Sequence, residues 1–154
     1  MIKIGRKEHI DLPELGLCNI EAKIDTGAYG SALHCHKIAV ESRGGKDVLS
    51  FKVLDPEHPE YDGVTYFFER FGQKVVKSST GEAENRYTIK TKLIIFDQVY
   101  KLVFSLTNRE KMKCPVLLGR KFLERKFLVD VSKKNLSFKQ KNLHHENRST
   151  IKKS

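Results

Sequence analysis

The sequence predicts an all-β fold, either a closed barrel or a sandwich of short strands, and three observations support this. Apolar and polar residues alternate with the period of two typical of strands along several short segments. Turn-forming pairs such as Gly44-Gly45 and Asp62-Gly63 lie between the segments. Long helical periodicity is hard to find. Many short strands separated by turns are typical of barrels and sandwiches.

Each predicted element rests on a local pattern. The first strand is the clearest, because every second residue in it is apolar. Asp97 and Gln98 separate two β-rich runs and predict a hairpin, and one short helix is predicted over residues 120–124, just after Gly119. In chain order, the predicted strands cover residues 20–24, 48–54, 64–68, 87–91, 93–96, 99–106 and 127–131.

The length of 154 residues predicts one domain, over residues 1–138, followed by a tail over residues 139–154. The net charge is +10, and residues 133–154 carry seven basic residues against Glu146 alone. This polar, basic tail predicts disorder. A basic tail can bind nucleic acid, but the body shows neither an RNA-binding aromatic signature nor zinc-finger spacing, so a nucleic-acid partner is not expected.

Composition also indicates the cellular compartment and narrows the possible roles of the cysteines. No apolar run reaches the length of a membrane helix, and residues 1–12 are charged rather than apolar, so we expect a cytoplasmic protein without a membrane partner. Cys18, Cys35 and Cys114 are scattered and form no C-x-x-C pair. This excludes a disulfide scaffold and a zinc ribbon.

The sharpest local signal is the sequence Asp25-Thr26-Gly27-Ala28, which follows an alternating strand directly. A strand end followed by a tight turn can expose the Asp25 carboxylate, and Gly27 lets the backbone bend and lets a ligand approach it. Backbone N–H groups of the turn can donate to the carboxylate, and the Thr26 hydroxyl can fasten the loop. On its own this short motif would also fit an ordinary Asx turn.

A second motif lies some ninety residues later, where an apolar run ends in Gly119-Arg120 before the predicted helix. Together the two motifs resemble a retropepsin subunit, in which the second element passes beneath the catalytic loop and supports it. The resemblance covers roughly residues 3–138 and is closest to the small retropepsin-like family labelled ATP-dependent zinc protease, which is associated with ATP-grasp peptide-modifying enzymes. It implies a closed acid-protease barrel and a supporting role for Leu117, Leu118, Gly119 and Arg120. The motifs that carry it are Leu12 to Gly16, Ala22 to Ala28, Ser31 to His34, Lys77 to Ser79, Leu106 to Arg109, Leu117 to Arg120 and Phe127 to Asp130.

The chain departs from the family pattern after Ala28. It has Tyr29-Gly30 where the family usually has Arg-Thr, and viral retropepsins pair an acidic residue at the first of these positions with the later arginine. Tyr29 cannot form that ion pair with Arg120. The sequence also lacks a G-x-x-x-x-G-K-[ST] phosphate loop and an H-E-x-x-H zinc helix, so we expect no metal and no cofactor.

The mechanism implied by the resemblance needs two carboxylates that share one proton and activate a water molecule. The sequence has one Asp-Thr-Gly, and Asp130 lacks the Thr-Gly or Ser-Gly that would present a second carboxylate. We therefore expect a homodimeric aspartic endopeptidase in which Asp25 of each copy meets at a two-fold axis. Thr26, Gly27 and Ala28 would support the loop and contact the substrate backbone. The substrate is expected to be a peptide or protein, with an ATP-grasp ligase as its possible source.

Two other readings stay open. The same fold could bind a peptide without cutting it. A zinc-dependent hydrolase could use His34 and His36, which would share one face of a strand, although the sequence marks no third ligand. Cys35 between them is a less favoured nucleophile. A flap over the substrate is expected within residues 54–62 or residues 78–81, and the sequence does not decide between them.

Overall fold

The chain folds into a mostly β structure, seen in a computed structural model that describes residues 1–77, 80–108 and 114–143. A 3₁₀ turn covers Pro13–Leu15, the short helix α1 covers Arg120–Leu123, and a second helix, α2, covers residues 136–143. The strands are β1 Ile2–Ile4, β2 Lys7–Leu12, β3 Leu17–Ile24, β4 Ser31–Arg43, β5 Lys46–Val53, β6 Tyr66–Phe68, β7 Gly72–Lys77, β8 Ala83–Ile95, β9 Gln98–Thr107, β10 Val116–Leu118 and β11 Phe127–Val129.

Six strands form a ring-like sheet. Their order is β10-β3-β2-β8-β9-β4, and β10 also pairs with β4, so the hydrogen-bonded order returns to its start. β5 and β6 extend the sheet from the long outer half of β4, and β7 pairs with β8 as a hairpin. Closing a sheet on itself removes the unpaired edges that open sheets expose. The predicted all-β fold with a closed sheet is confirmed.

Inward-facing apolar side chains fill the ring. Ile20, Ala22 and Ile24 of β3 are buried, as their alternation predicts, and the polar residues between them face outward or lie at the surface. Phe51 and Phe104 are fully buried and supply the largest side chains of the core. Burial of such aromatic rings dominates the stability of a small β domain.

The predicted hairpin is present, with its turn one residue earlier than expected. Ile95 pairs with Gln98, so Phe96 and Asp97 form the two-residue turn, with φ of 51° and 58°. Two central residues with positive φ define the type I′ turn, whose twist matches that of the flanking strands. The two runs predicted at 87–91 and 93–96 belong to one strand, β8.

The C-terminal region corrects the expectation of one short helix. Helix α2 follows α1, and the domain boundary predicted after residue 138 falls inside it. The buried Glu8 carboxylate accepts hydrogen bonds from the backbone N–H groups of Gly5, at 2.7 Å, and Ser137, at 3.0 Å. Lys141 also lies 3.6 Å from Asp11. These contacts hold α2 against β2, and the predicted tail beyond residue 143 lies outside the described residues.

The small β1–β11 sheet is parallel and joins the first strand to the last, with Ile2 opposite Phe127 and Ile4 opposite Val129. β11 ends two residues before the predicted limit of 131. Within the described ranges, no helix combines the length and the apolar character needed to cross a membrane.

Candidate active site

Asp25 stands where β3 ends, and its backbone is fixed by the strand that runs beside it. β10 pairs in parallel with β3, with Leu118 opposite Ile24, and the backbone N–H of Asp25 donates to the Leu118 carbonyl at 2.9 Å. The N–H of Gly27 donates to Asp25 Oδ1 at 2.9 Å. The carboxyl group is partly exposed, so it is held in one orientation while one of its faces stays open to a substrate.

β10 lies beneath residues 25–30, which we call the Asp25 loop. It pairs with β3 on one side and with β4 on the other, where Val116 is opposite Leu33. Gly119 follows it so closely that a Cβ atom there would overlap the carbonyl group of Gly30. The Gly119 N–H donates to Ser31 Oγ at 3.1 Å. The second motif therefore meets the first one directly, and only glycine fits at the contact.

Arg120 holds the Asp25 loop from its other end. Its guanidinium donates to the Thr26 carbonyl at 2.8 Å, and its backbone N–H donates to the Ala28 carbonyl at 2.8 Å. The guanidinium carbon also lies 5.9 Å from the centre of the Tyr29 ring, within cation–π range. Arg120 thus fastens the loop through a backbone carbonyl and an aromatic ring, without the acidic partner that viral retropepsins have.

The Thr26 hydroxyl does not do the fastening that the sequence pattern allowed. It has no hydrogen bond to any residue in the described part of the chain, and the Thr26 carbonyl is the group that is held. The sequence analysis gave no role to Gly30 or Ser31. A Cβ atom at Gly30 would meet the Lys74 ammonium nitrogen, whereas the contact with Gly119 is made by the Gly30 carbonyl, a group that every residue carries, so no side-chain pattern marks its role.

Asp25 lies in a cavity of about 500 Å³ between the Asp25 loop and the β7–β8 hairpin. The hairpin contributes three basic side chains, from Lys74, Lys77 and Arg86, and Asp25 is the one carboxylate among the described residues that line the cavity. Arg86 donates to Glu84 Oε2 at 3.1 and 3.2 Å. The Arg86 charge is thus paired, and Lys74 and Lys77 leave the surroundings of Asp25 positively charged overall.

Of the two flap candidates, the hairpin is the one beside Asp25. Residues 74–77 line the Asp25 cavity, whereas no residue of the 54–62 loop does. Ser78 and Ser79 lie outside the described residues. The 54–62 loop instead contacts β4, where His34 Nε2 lies 2.7 Å from Asp55 Oδ1 and the Tyr61 hydroxyl lies 3.4 Å from His36 Nε2.

The histidines and the cysteine of β4 do not form a second reactive centre with Asp25. His34 is buried against Asp55 and His36 packs on Tyr61, so each is engaged by the 54–62 loop. Within the described residues, no group of three or more His, Cys, Asp or Glu side chains is placed to hold a metal ion. Burial raises the pKa of the Cys35 thiol well above its usual value, which disfavours the nucleophilic thiolate.

A ring-like sheet with an Asp-Thr-Gly loop supported by an apolar-Gly-Arg strand defines a retropepsin-like protein. A family model described as "RimB-like: Retropepsin-like aspartic endopeptidase RimB" matches residues 3–140. The chain belongs to this RimB-like family, which confirms the resemblance drawn from the sequence.

Relatives and one solved structure extend this finding. A protein of Desulfotalea psychrophila is 31% identical over 127 residues, which are 82% of this chain and 27% of that protein. One of Shewanella pealeana is 35% identical over 129 residues, 84% of this chain and 28% of that protein. Both are named "Probable alpha-L-glutamate ligase". The chain thus spans less than a third of the length of these relatives.

The solved structure is that of a Legionella pneumophila protein of unknown function, at 26% identity and a TM-score of 0.65. The match covers 88% of this chain and 98% of that chain. The similarity therefore extends through the whole fold, beyond the two motifs of the site.

Proposed function

We propose that this chain is a homodimeric aspartic endopeptidase, with Asp25 of two copies forming one active site. The observation that carries the proposal is the placement of Asp25: a carboxylate fixed at a strand end, open on one face, beneath a hairpin that can cover a bound peptide. One carboxylate would act as the base for the attacking water, and the other, protonated, would donate to the scissile carbonyl.

The second carboxylate has to come from another copy. Among the described residues, no acidic side chain other than Asp25 lines the cavity. Asp130, the other aspartate after a strand, accepts hydrogen bonds from the Ser132 hydroxyl and N–H at 2.6 and 3.0 Å, and these bonds hold the pKa of Asp130 below its usual value. A two-fold axis beside the Asp25 loop would bring the two catalytic groups together.

For the substrate we propose a peptide produced by an ATP-grasp ligase that adds acidic residues. Two observations support this choice. The relatives that contain a matching segment are named glutamate ligases, and the cavity around Asp25 is lined by the cationic groups of Lys74, Lys77 and Arg86. Cationic groups near the scissile bond would attract an acidic chain and raise its local concentration.

The test is the isosteric variant Asp25→Asn, with Asp130→Asn as the matched control. We expect Asp25→Asn to lower kcat/KM for peptide cleavage by about 10³-fold or more, because the amide cannot share the proton of the pair. Its Oδ1 can still accept from the Gly27 N–H, so the melting temperature should change little. The assay uses a mixture of synthetic peptides with and without glutamate runs, read by mass spectrometry.

Mixing the two proteins separates a shared site from two independent sites. When equal amounts of the parent and Asp25→Asn are unfolded and refolded together, about a quarter of random dimers keep two aspartates. At equal total protein, a shared site then predicts about a quarter of the activity of the parent, and independent sites predict half of it. Full activity of Asp25→Asn, or a halving in the mixture, would refute the shared aspartate pair. Peptide binding without cleavage by the parent would support a binding module instead.

A further inference from the structure

A second cavity, of about 520 Å³, lies next to the Asp25 cavity and has a different lining. It lies between the outer face of β8 and β9, the start of β4 and the region of α1. No carboxylate lines it among the described residues. We call it the lysine pocket, since five lysines line it: Lys74, Lys90, Lys101, Lys121 and Lys126.

The fold brings these lysines together from distant parts of the sequence. Lys90 lies opposite Val103 and Lys92 lies opposite Lys101, so Lys90 and Lys101 share one face of the β8–β9 ladder as diagonal neighbours. Lys121 is placed by its own backbone N–H, which donates to the Tyr29 carbonyl at 2.9 Å. Lys90, Lys101 and Lys121 are therefore positioned by backbone pairing, whereas Lys74 comes from the more exposed strand β7.

The five ammonium groups have no anionic partner in the part of the chain that the structure describes. Other lysines do: Lys7 lies 3.3 Å from Glu21, and Lys141 lies 3.6 Å from Asp11. Lys126 donates to the Phe122 carbonyl at 3.0 Å and lies 5.1 Å from the centre of the Phe122 ring, both of which leave its charge uncompensated. Like charges gathered in one cavity repel each other, and a bound anion would remove that repulsion.

We propose that the lysine pocket binds a compact, multiply charged phosphate compound, such as a polyphosphate chain. Five positive charges around one open pocket match a ligand that carries several negative charges on few atoms. A peptide carries at most one carboxylate per residue, about 3.3 Å apart along an extended chain. No arginine lines the pocket, so a ligand would be held by ammonium groups, which bind phosphate as point charges.

Lys74 connects this pocket to the Asp25 cavity. It lies on β7 and lines both cavities, together with Tyr29, Gly30 and Ser105. A phosphate ligand bound to the Lys74 ammonium would restrain the hairpin that covers Asp25. The pocket would thus act as an effector site, separate from the groove that takes the scissile peptide.

The experiment measures binding of sodium tripolyphosphate to the full chain by titration calorimetry at low ionic strength. The pocket variant is the double substitution Lys90→Gln/Lys101→Gln. The charge-matched control is Lys46→Gln/Lys133→Gln, whose two side chains are exposed and line neither cavity. We expect the pocket variant to bind tripolyphosphate at least tenfold more weakly than the parent, and the control to bind within twofold of the parent.

A second titration uses a hexaglutamate peptide of comparable charge in the Asp25→Asn background, so that it cannot be hydrolysed. Tighter binding of hexaglutamate than of tripolyphosphate, lost in the pocket variant, would overturn the phosphate assignment in favour of a carboxylate ligand. Equal weakening of tripolyphosphate binding in the pocket and control variants would show that only net charge matters and would refute a specific site. Neither measurement needs peptide cleavage, so the outcome is independent of the proposed protease activity.

Discussion

The Asp25 loop and the β7–β8 hairpin face each other across one cavity, yet they are held in opposite ways. The loop is joined to the second motif by backbone hydrogen bonds at Asp25, Ala28 and Tyr29 and by the Arg120 guanidinium. Among the described residues, β7 pairs only with β8, and five of its six residues are exposed, including Val75 at 63%. The comparison shows a firmly held loop that keeps the carboxylate in place and, opposite it, an exposed hairpin that fewer contacts hold.

We expect the largest effect from adding one methyl group at Gly119, beside the Asp25 loop, and the same group at Gly81, in the β7–β8 hairpin. Gly119 has a φ of −96°, which any residue adopts, but a Cβ there would overlap Gly30. Gly81, at the hairpin turn, has a φ of +86° and open space around it. We expect Gly119→Ala to lower the free energy of unfolding by about 3 kcal/mol or more, and Gly81→Ala by about 1 kcal/mol.

Chemical denaturation with urea measures both changes. Both variants add the same methyl group, and only Gly81 has a strained φ, so a larger loss at Gly119 would come from the lack of space at the Gly119–Gly30 contact. Equal losses in the free energy of unfolding for the two substitutions would mean that the Asp25 loop is no more tightly packed than the β7–β8 hairpin.

Hydrogen exchange tests the comparison without any substitution. We expect the amides of residues 72–77 to exchange about a hundredfold faster than those of residues 17–25, because β7 has one paired edge and little buried apolar surface. Exchange followed by proteolysis and mass spectrometry resolves the two segments. Similar protection in both would show that β7 is as rigid as β3, the strand that leads into Asp25, and that the hairpin is unsuited to act as a flap.

Removing the Arg120 guanidinium should loosen the Asp25 loop moderately. In Arg120→Met the Thr26 carbonyl loses its 2.8 Å donor and the Tyr29 ring loses its cation. We expect kcat/KM for peptide cleavage to fall about tenfold, because a displaced loop misaligns the carboxylate pair. Arg125→Met, an exposed arginine just after α1, serves as the control. A parental kcat/KM in Arg120→Met would show that the backbone bonds alone position the loop.

The smallest effect concerns the residue after Gly27. Ala28 cannot donate a side-chain hydrogen bond to the carboxylate pair, whereas a serine hydroxyl there could stabilise the ionised form and release the shared proton at lower pH. We expect the pH optimum of kcat/KM in Ala28→Ser to lie below that of the parent by about 1 pH unit or less. An optimum at the same or a higher pH would contradict this role.

Parts of the fold and of the candidate site can be predicted from the sequence for physical reasons. β3 lies between the core and the surface, so its alternating residues show both its period and its buried face. The residues of the Asp25 loop and of the second motif are constrained by one close contact, which makes their pattern specific. The strand-rich composition and the regular turns were sufficient to predict the all-β class.

Other strands carry no such pattern. The first half of β4 is largely buried, whereas its second half is almost entirely exposed, so residues 31–43 do not alternate. β7 faces solvent on both sides and depends on β8 for its conformation. In β2, Glu8 occupies one of the inward-facing positions, where an apolar residue would be expected. The lysine pocket cannot be predicted from the sequence, because its residues become neighbours only once the sheet has closed.

The buried Glu8 also decides where this domain can end. Its two carboxylate oxygens are satisfied by N–H groups from Gly5 and from Ser137, at opposite ends of the chain. A chain cut before Ser137 would leave a carboxylate oxygen in the interior without its donor, whereas the limit predicted after residue 138 keeps it. A residue near the start of the fold therefore needs a backbone group more than a hundred residues later in the sequence.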